Sequence, residues 1–173
     1  MQLPNVEIKK ILYATDLSES ARYAFAYAVS LADHYCASIT LLHVLHDAPG
    51  FVENLIGAEK YEEIKKRHYD EAREALIGNQ REHVIVKEIL NKFCDEVKAD
   101  NNLPDVTTDE ILISEGNPAE EILRAAEERG CDLIVIGTHG FGRIAEAMIG
   151  GTARQVLRNS HKPVLAVRLP EER

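Results

Sequence analysis

The sequence predicts a single α/β domain: a doubly wound, five-stranded parallel sheet of order 3-2-1-4-5, with helices on both faces. Three observations predict it. Short apolar, β-rich runs recur at 11–14, 38–44, 110–114, 133–136 and 164–167, the length of buried strands. Between them, apolar residues return at helical spacing, and most links are short, which implies right-handed parallel crossovers. The 173 residues suit one domain spanning 1–173, and no internal repeat or low-complexity segment divides it.

Lys9 and Lys10 lead into Ile11, Leu12, Tyr13 and Ala14, a first strand expected to end at Asp16. Ser18 or Ser20 can cap the next element, where Ala21, Phe25, Ala28, Val29 and Ala32 follow helical spacing to about Tyr35. Ser38 to Val44 is the second strand. A long helical connection, 47–104, comes next, much longer than a crossover needs. Its first half, with Tyr61, Ile64, Ala72, Ala75 and Leu76, reads as a helix that Gly78 and Asn79 interrupt. In its second half, Val86, Ile89, Leu90, Phe93 and Val97 form an amphipathic stripe. Glu110 to Ser114 is the third strand. Asn117 at the N-cap, Pro118 at the first helical position and Glu120 two residues on start a well-marked helix, which Gly130 closes. Leu133 to Ile136 is the fourth strand. Ala153, Val156 and Leu157 mark a short helix, and Val164 begins the last strand.

Composition narrows the function. A formal net charge of -9 and the absence of Trp argue against a broad nucleic-acid surface, which needs cations and stacking platforms. The start, MQLPNVEIKK, lacks the apolar core of a signal peptide, and no run approaches the roughly 18 residues of a membrane span. A cytoplasmic protein without membrane or nucleic-acid partners is expected. Cys36, Cys94 and Cys131 are isolated, so they read as reduced core or half-buried thiols.

Ligands of open parallel sheets sit outside the carboxyl ends of the strands, where strand order reverses. The first strand's end, Ala14, Thr15 and Asp16, then faces the loop after Ile136. That loop carries Gly137, Gly140 and Gly142, and Gly150 and Gly151 precede the next helix. Glycine admits backbone N–H groups to an anion, and a helix start adds partial positive charge. From Gly137 to Arg168 five cations (Arg143, Arg154, Arg158, Lys162, Arg168) stand against Glu146, a net +4, with Arg143 the one expected near the ligand. Asp16 reads two ways: it could accept from a base amine or ribose hydroxyl, or it could help cap the first helix. Neither GxxxxGK[ST] nor GxGxxG after the first strand is present, and no HExxH or GxSxG occurs. His43 and His46, three apart on a strand, point to opposite faces and are poor joint metal ligands.

GTHGFGRIAEAMIGGTARQVLRNSHKPVLAVR, with ILYATDLSESARYAFAYAVSLA and ITLLHV, resembles the universal stress protein family. The family's nucleotide motif is G-x2-G-x9-G-[S/T], and Gly137, Gly140 and Gly150 match it. The resemblance covers nearly the whole chain except the middle connection. It implies ATP binding, with AMP or ADP as further ligands. Ala14, Thr15, Asp16 and Val44 would frame adenine, Gly137 and Gly140 admit ribose and phosphates, and His139 contact either. Gly150, Gly151, Thr152 and Ala153 would hold the phosphate tail, and Mg²⁺ could accompany ATP near Asp16. Gly151 stands where the motif has a hydroxyl, and Thr152 follows one place late. The resemblance also implies a homodimer through antiparallel pairing of the last strand: Val164, Leu165, Ala166, Val167 and Arg168. The expected role is a stress-response sensor or regulatory module rather than a fast enzyme. The alternatives are a dimeric interaction protein that binds no nucleotide and docks a protein partner on the 58–102 helices, and a slow ATP hydrolase.

Overall fold

The computed structural model describes residues 5–45, 57, 79–100, 103–104, 108–139 and 149–170; within 79–100, side chains are described from 86 to 99. The elements are β1 (Lys10–Thr15), α1 (Glu19–Tyr35), β2 (Ser38–Leu45), α2 (Asn79–Asp100), β3 (Thr108–Glu115), α3 (Pro118–Glu128), β4 (Leu133–Gly137), α4 (Gly151–Asn159) and β5 (Val164–Val167). The strands form one all-parallel sheet in the order β3-β2-β1-β4-β5, as expected.

Strand alternation divides the core between two faces. Ile11 and Tyr13 of β1 point to the side covered by α1 and α2, with Phe25, Leu41, Leu90 and Val135. Leu12 and Ala14 point to the side covered by α3 and α4, with Leu42, Ile122, Ile134 and Val156. Because β1 is buried on both faces, its sequence reads as a continuous apolar run rather than an alternating one. Tilted aromatic pairs fasten the first layer: Tyr13 to Phe25 at 5.0 Å and Phe25 to Phe93 at 5.9 Å between ring centroids.

That contact also places the second half of the middle connection. Val86, Leu90, Phe93 and Val97 of the expected stripe are buried in the core, and Ile89 packs partly against it. Arg22 lies over the Phe93 ring at 5.4 Å and meets Glu96 at 3.3 Å, tying α2 to α1. The expected helix at Tyr61 to Leu76 lies outside the described residues, as do His46 and Gly78.

Helix ends follow their local chemistry. Ser18 is the N-cap of α1, its side chain accepting from Ala21 N–H. Asn117 caps α3 by accepting from the N–H groups of Ala119 and Glu120, with Pro118 behind it. Gly130, at φ +62, takes the left-handed conformation just past that helix.

Four details differ from expectation. Strand β1 stops at Thr15, because the Asp16 side chain turns back to accept from Ser18 N–H at 3.0 Å. Strand β3 is longer at both ends, since pairing with β2 continues from Thr108 to Glu115. Arg168 falls just past β5, which ends at Val167, so the edge strand comprises Val164, Leu165 and Ala166, half-buried, and Val167, buried. Cys36 is exposed at the C-cap of α1, while Cys94 and Cys131 are buried. No described helix is long and apolar enough to cross a membrane.

Candidate functional site

The carboxyl ends of β1 and β4, the starts of α1 and α4, and the end of β2 meet at one place. Ala14 pairs with Ile136 at the last β1–β4 register position, and Thr15 pairs with His43 at the last β1–β2 position. Beyond this point the two loops diverge from the sheet, at the topological switch between β1's neighbours.

The β1–α1 turn is held by its own side chains. Thr15 Oγ1 accepts from Leu17 N–H at 3.0 Å, and Asp16 Oδ1 accepts from Ser18 N–H at 3.0 Å. Leu17 takes φ +66, an uncommon conformation for a bulky residue, and these bonds help fix it. Asp16 therefore braces the turn that leads into the Ser18 N-cap. Its second oxygen, Oδ2, takes no hydrogen bond among the described residues and remains available for a ligand.

Two serines of this turn reach the other side of the crevice. Ser18 Oγ donates to the His139 carbonyl, and Ser20 Oγ accepts from His139 N–H, each at 3.4 Å. Gly137 is the reason they can approach. A Cβ there would lie 2.7 Å from Ser20 Oγ and 3.0 Å from that residue's backbone carbon and oxygen. Its missing side chain is thus filled by α1, a packing requirement that a ligand-based reading of the motif does not supply.

Thr138 joins the third component. Its backbone N–H donates to the Val167 carbonyl at 2.9 Å, and its own carbonyl accepts from Gly150 N–H at 2.7 Å. Its hydroxyl lies 2.9 Å from His139 Nδ1, which orients that ring. Gly150 is the N-cap of α4, without a side-chain cap. A Cβ on it would approach the Thr138 carbonyl to 3.1 Å, whereas one on Gly151 would meet open space. The N–H groups of Gly151, Thr152 and Ala153 precede the first intrahelical bond, from Arg154 N–H to the Gly150 carbonyl, and so need partners from outside the helix. These donors and the helix dipole suit an anion.

The structure therefore brings together Ala14, Thr15, Asp16, Gly137, His139, Gly150 and Gly151. Val44, one strand away, is half-buried on the α3 side, the face that also receives Ala14. The Ala153 side chain is buried in the core, leaving its backbone N–H for the crevice. Gly140 and Arg143 lie outside the described residues. The cationic surplus of the sequence is not all at this site. Arg158 lies in the last turn of α4, and Lys162 pairs with Glu127 at 3.8 Å. No group of three or more His, Cys, Asp or Glu able to hold a metal occurs among the described residues.

Sequence reasoning missed two residues. Thr138 was hidden between the motif glycines as an ordinary loop position. His43 was judged only as a metal ligand. It is buried, and its Nδ1 lies 2.8 Å from the Thr15 carbonyl. Burial holds its pKa below the usual histidine value, partly offset by that hydrogen bond and by the charge of Asp16. A buried histidine inside an apolar strand was a readable signal, since burial of a polar ring needs a partner.

A second cleft, of about 270 Å³, lies at the opposite end of the sheet between α3 and the α4–β5 loop. Its cations are already matched, Arg124 by Glu121 and Lys162 by Glu127. The crevice at the carboxyl ends differs in having the first amides of α4, for which no partner appears among the described residues.

Known proteins place this geometry in context. The family model described as the universal stress protein family matches residues 7–168. The universal stress protein MJ0577 of Methanocaldococcus jannaschii is 30% identical, over 95% of this chain and 97% of its own length. Its solved structure superposes with TM-score 0.60, covering 96% of this chain and all of that one. Two further structures share the fold. A universal stress protein in complex with cAMP has TM-score 0.58 and 22% identity, covering 94% of this chain and 98% of its own. One from Archaeoglobus fulgidus in complex with dAMP has TM-score 0.56 and 18% identity, covering 94% and 99%.

Proposed function

The chain belongs to the universal stress protein family, and from that membership we propose that it binds an adenine nucleotide, ATP foremost, in the crevice at the carboxyl ends of β1 and β4. The observation that carries this reading is that the β1–α1 turn, with Asp16, and the start of α4, whose Gly150 N–H donates to the Thr138 carbonyl, both border His139 at the carboxyl ends of β1 and β4. The carboxylate suits a base amine or ribose hydroxyl, and the amides suit phosphate. Complexes of two fold neighbours with cAMP and dAMP support a ligand of this class.

In this reading Ala14 and Val44 form the apolar surface for adenine. Gly137 keeps α1 close so that His139 is presented to ribose or phosphate. The family motif assigns Gly140 to ribose and phosphates, and Gly150 to Ala153 receive the phosphate tail. Asp16 Oδ2 is also the carboxylate that Mg²⁺ accompanying ATP would meet. The protein acts as a cytoplasmic, dimeric stress-response sensor or regulatory module, paired through the open edge of β5. In this reading the chain acts as a binding module, and any hydrolysis is slow.

Gly151 favours a second reading, in which the nucleotide is lost and the protein is a dimeric interaction module using the 58–102 helices. Among the described residues the α2 stripe is spent on the core, and the face with Lys87, Lys92 and Asp95 is exposed. Mass analysis of small molecules released on denaturing the purified native protein separates the readings. Stoichiometric adenine nucleotide supports the first, and its complete absence after saturation with ATP supports the second.

A further inference from the structure

We infer that His43 is a positioning residue for the crevice: its ring holds the Thr15 carbonyl where β1 leaves the sheet, and through the Thr15–Ser18 turn it fixes the Ser18 bond to His139. The observations form one connected path. Thr15 is the last β1 residue in the ladder with β2, so its carbonyl sits at the point where pairing ends. A side chain takes over at that point. His43 Nδ1 lies 2.8 Å from this carbonyl, and because a carbonyl oxygen only accepts, Nδ1 must carry the hydrogen.

From there the path runs through single bonds. Thr15 Oγ1 accepts from Leu17 N–H, which sits at φ +66, and Asp16 Oδ1 accepts from Ser18 N–H. Ser18 Oγ then meets the His139 carbonyl at 3.4 Å. The conformation at Leu17 persists only where its surroundings over-determine it. Among the described groups that hold this turn, His43 reaches it from β2, the neighbouring strand, and Tyr13 braces the α1 side through the Ala21 carbonyl.

Packing alone does not explain a histidine here. It is 1% exposed, on the sheet face that Leu41 and Leu45 also share, where an aliphatic residue would fill the space without desolvating a polar ring. Its burial keeps the ring neutral, so the bond to Thr15 is made without burying a charge. Retaining a polar group in such a place gives positional definition at the cost of some core stability.

The link from this turn to ligand affinity rests on the nucleotide reading, whereas the link from His43 to the turn does not. The test therefore has two arms on the full chain. Amide hydrogen exchange at Leu17, Ser18 and His139 is compared with that at core residues Val29 and Ile134, and AMP and ATP affinities are measured by calorimetry. His43→Leu should raise exchange at the three crevice amides about tenfold or more, leave the core amides unchanged, and weaken nucleotide about tenfold. His43→Asn, which keeps a donor near the Nδ1 position, should restore both. Should His43→Leu not fold, Thr15→Val removes the next bond of the path, and Leu17 exchange should rise in the same way. Unchanged exchange at Leu17 and Ser18 in the folded variant, or failure of His43→Asn to rescue, overturns the inference. If the wild-type protein binds no nucleotide, the functional reading falls, and the exchange arm still decides the role of His43.

Discussion

Replacing Gly137 with alanine perturbs the closest approach in the candidate site. The new methyl carbon would lie 2.7 Å from Ser20 Oγ and 3.0 Å from the Ser20 backbone carbon and oxygen. The hydroxyl could rotate away, but the backbone belongs to the first turn of α1, whose Ala21, Ala24 and Phe25 are buried. Relief therefore requires α1 to move. Overpacking of this kind costs about 1–3 kcal/mol, and loss of the Ser20–His139 bond adds about 0.5–1.5 kcal/mol. Reduced freedom of the unfolded chain returns about 0.4–1 kcal/mol. The net loss is about 2 kcal/mol, which lowers Tm by roughly 4–8 °C for a domain of this size. Gly151→Ala is the control, since a Cβ there meets nothing within 4 Å and should be neutral or slightly stabilising. Urea unfolding followed by circular dichroism measures both. A Gly137→Ala protein as stable as Gly151→Ala would refute the packing account of this glycine.

Three other outcomes are expected. Gly151→Ser restores the hydroxyl of the family motif at a position with open space, and calorimetry should find ATP bound about tenfold more tightly, the low end of a hydrogen bond to a charged group. Because burial depresses the folded-state pKa of His43, the unfolded chain takes up that proton first. Stability should fall as pH drops below about 6.5, with a slope of at most about 1.4 kcal/mol per pH unit from this group, and urea midpoints of His43→Asn between pH 7 and 5.5 should lack that component. Finally, an aromatic disulfide reagent should titrate one thiol per native chain, the exposed Cys36, and all three after denaturation. Cys94 and Cys131 are buried, with burial pushing the Cys94 thiol up to about 12 and Cys131 also upward.

The sheet was legible because β1 and β4 are buried on both faces and so carry continuous apolar runs that end at Thr15 and Gly137, and β2 is apolar apart from Ser38, Thr40 and His43. The helix starts at Ser18 and Asn117 were legible because capping is local chemistry. What escaped was set by tertiary contact. Asp16 looks the same in sequence whether it braces a turn or faces a ligand, and the fold uses its Oδ1 for the turn. Gly137 looked like a ligand glycine, but its need for no side chain comes from Ser20, over a hundred residues away in the chain. His43 was passed over because the metal question is one of spacing, while its partner is a backbone carbonyl on the neighbouring strand.

The central claim is that the crevice between the ends of β1 and β4 receives an adenine nucleotide. Calorimetric titration of the nucleotide-free protein with ATP and with AMP, each with and without Mg²⁺, tests it most directly. Saturable binding at one site per chain, weakened by a bulky residue at Gly140, is the predicted result. No heat of binding up to millimolar nucleotide, or an affinity indifferent to the Gly140 substitution, would contradict it.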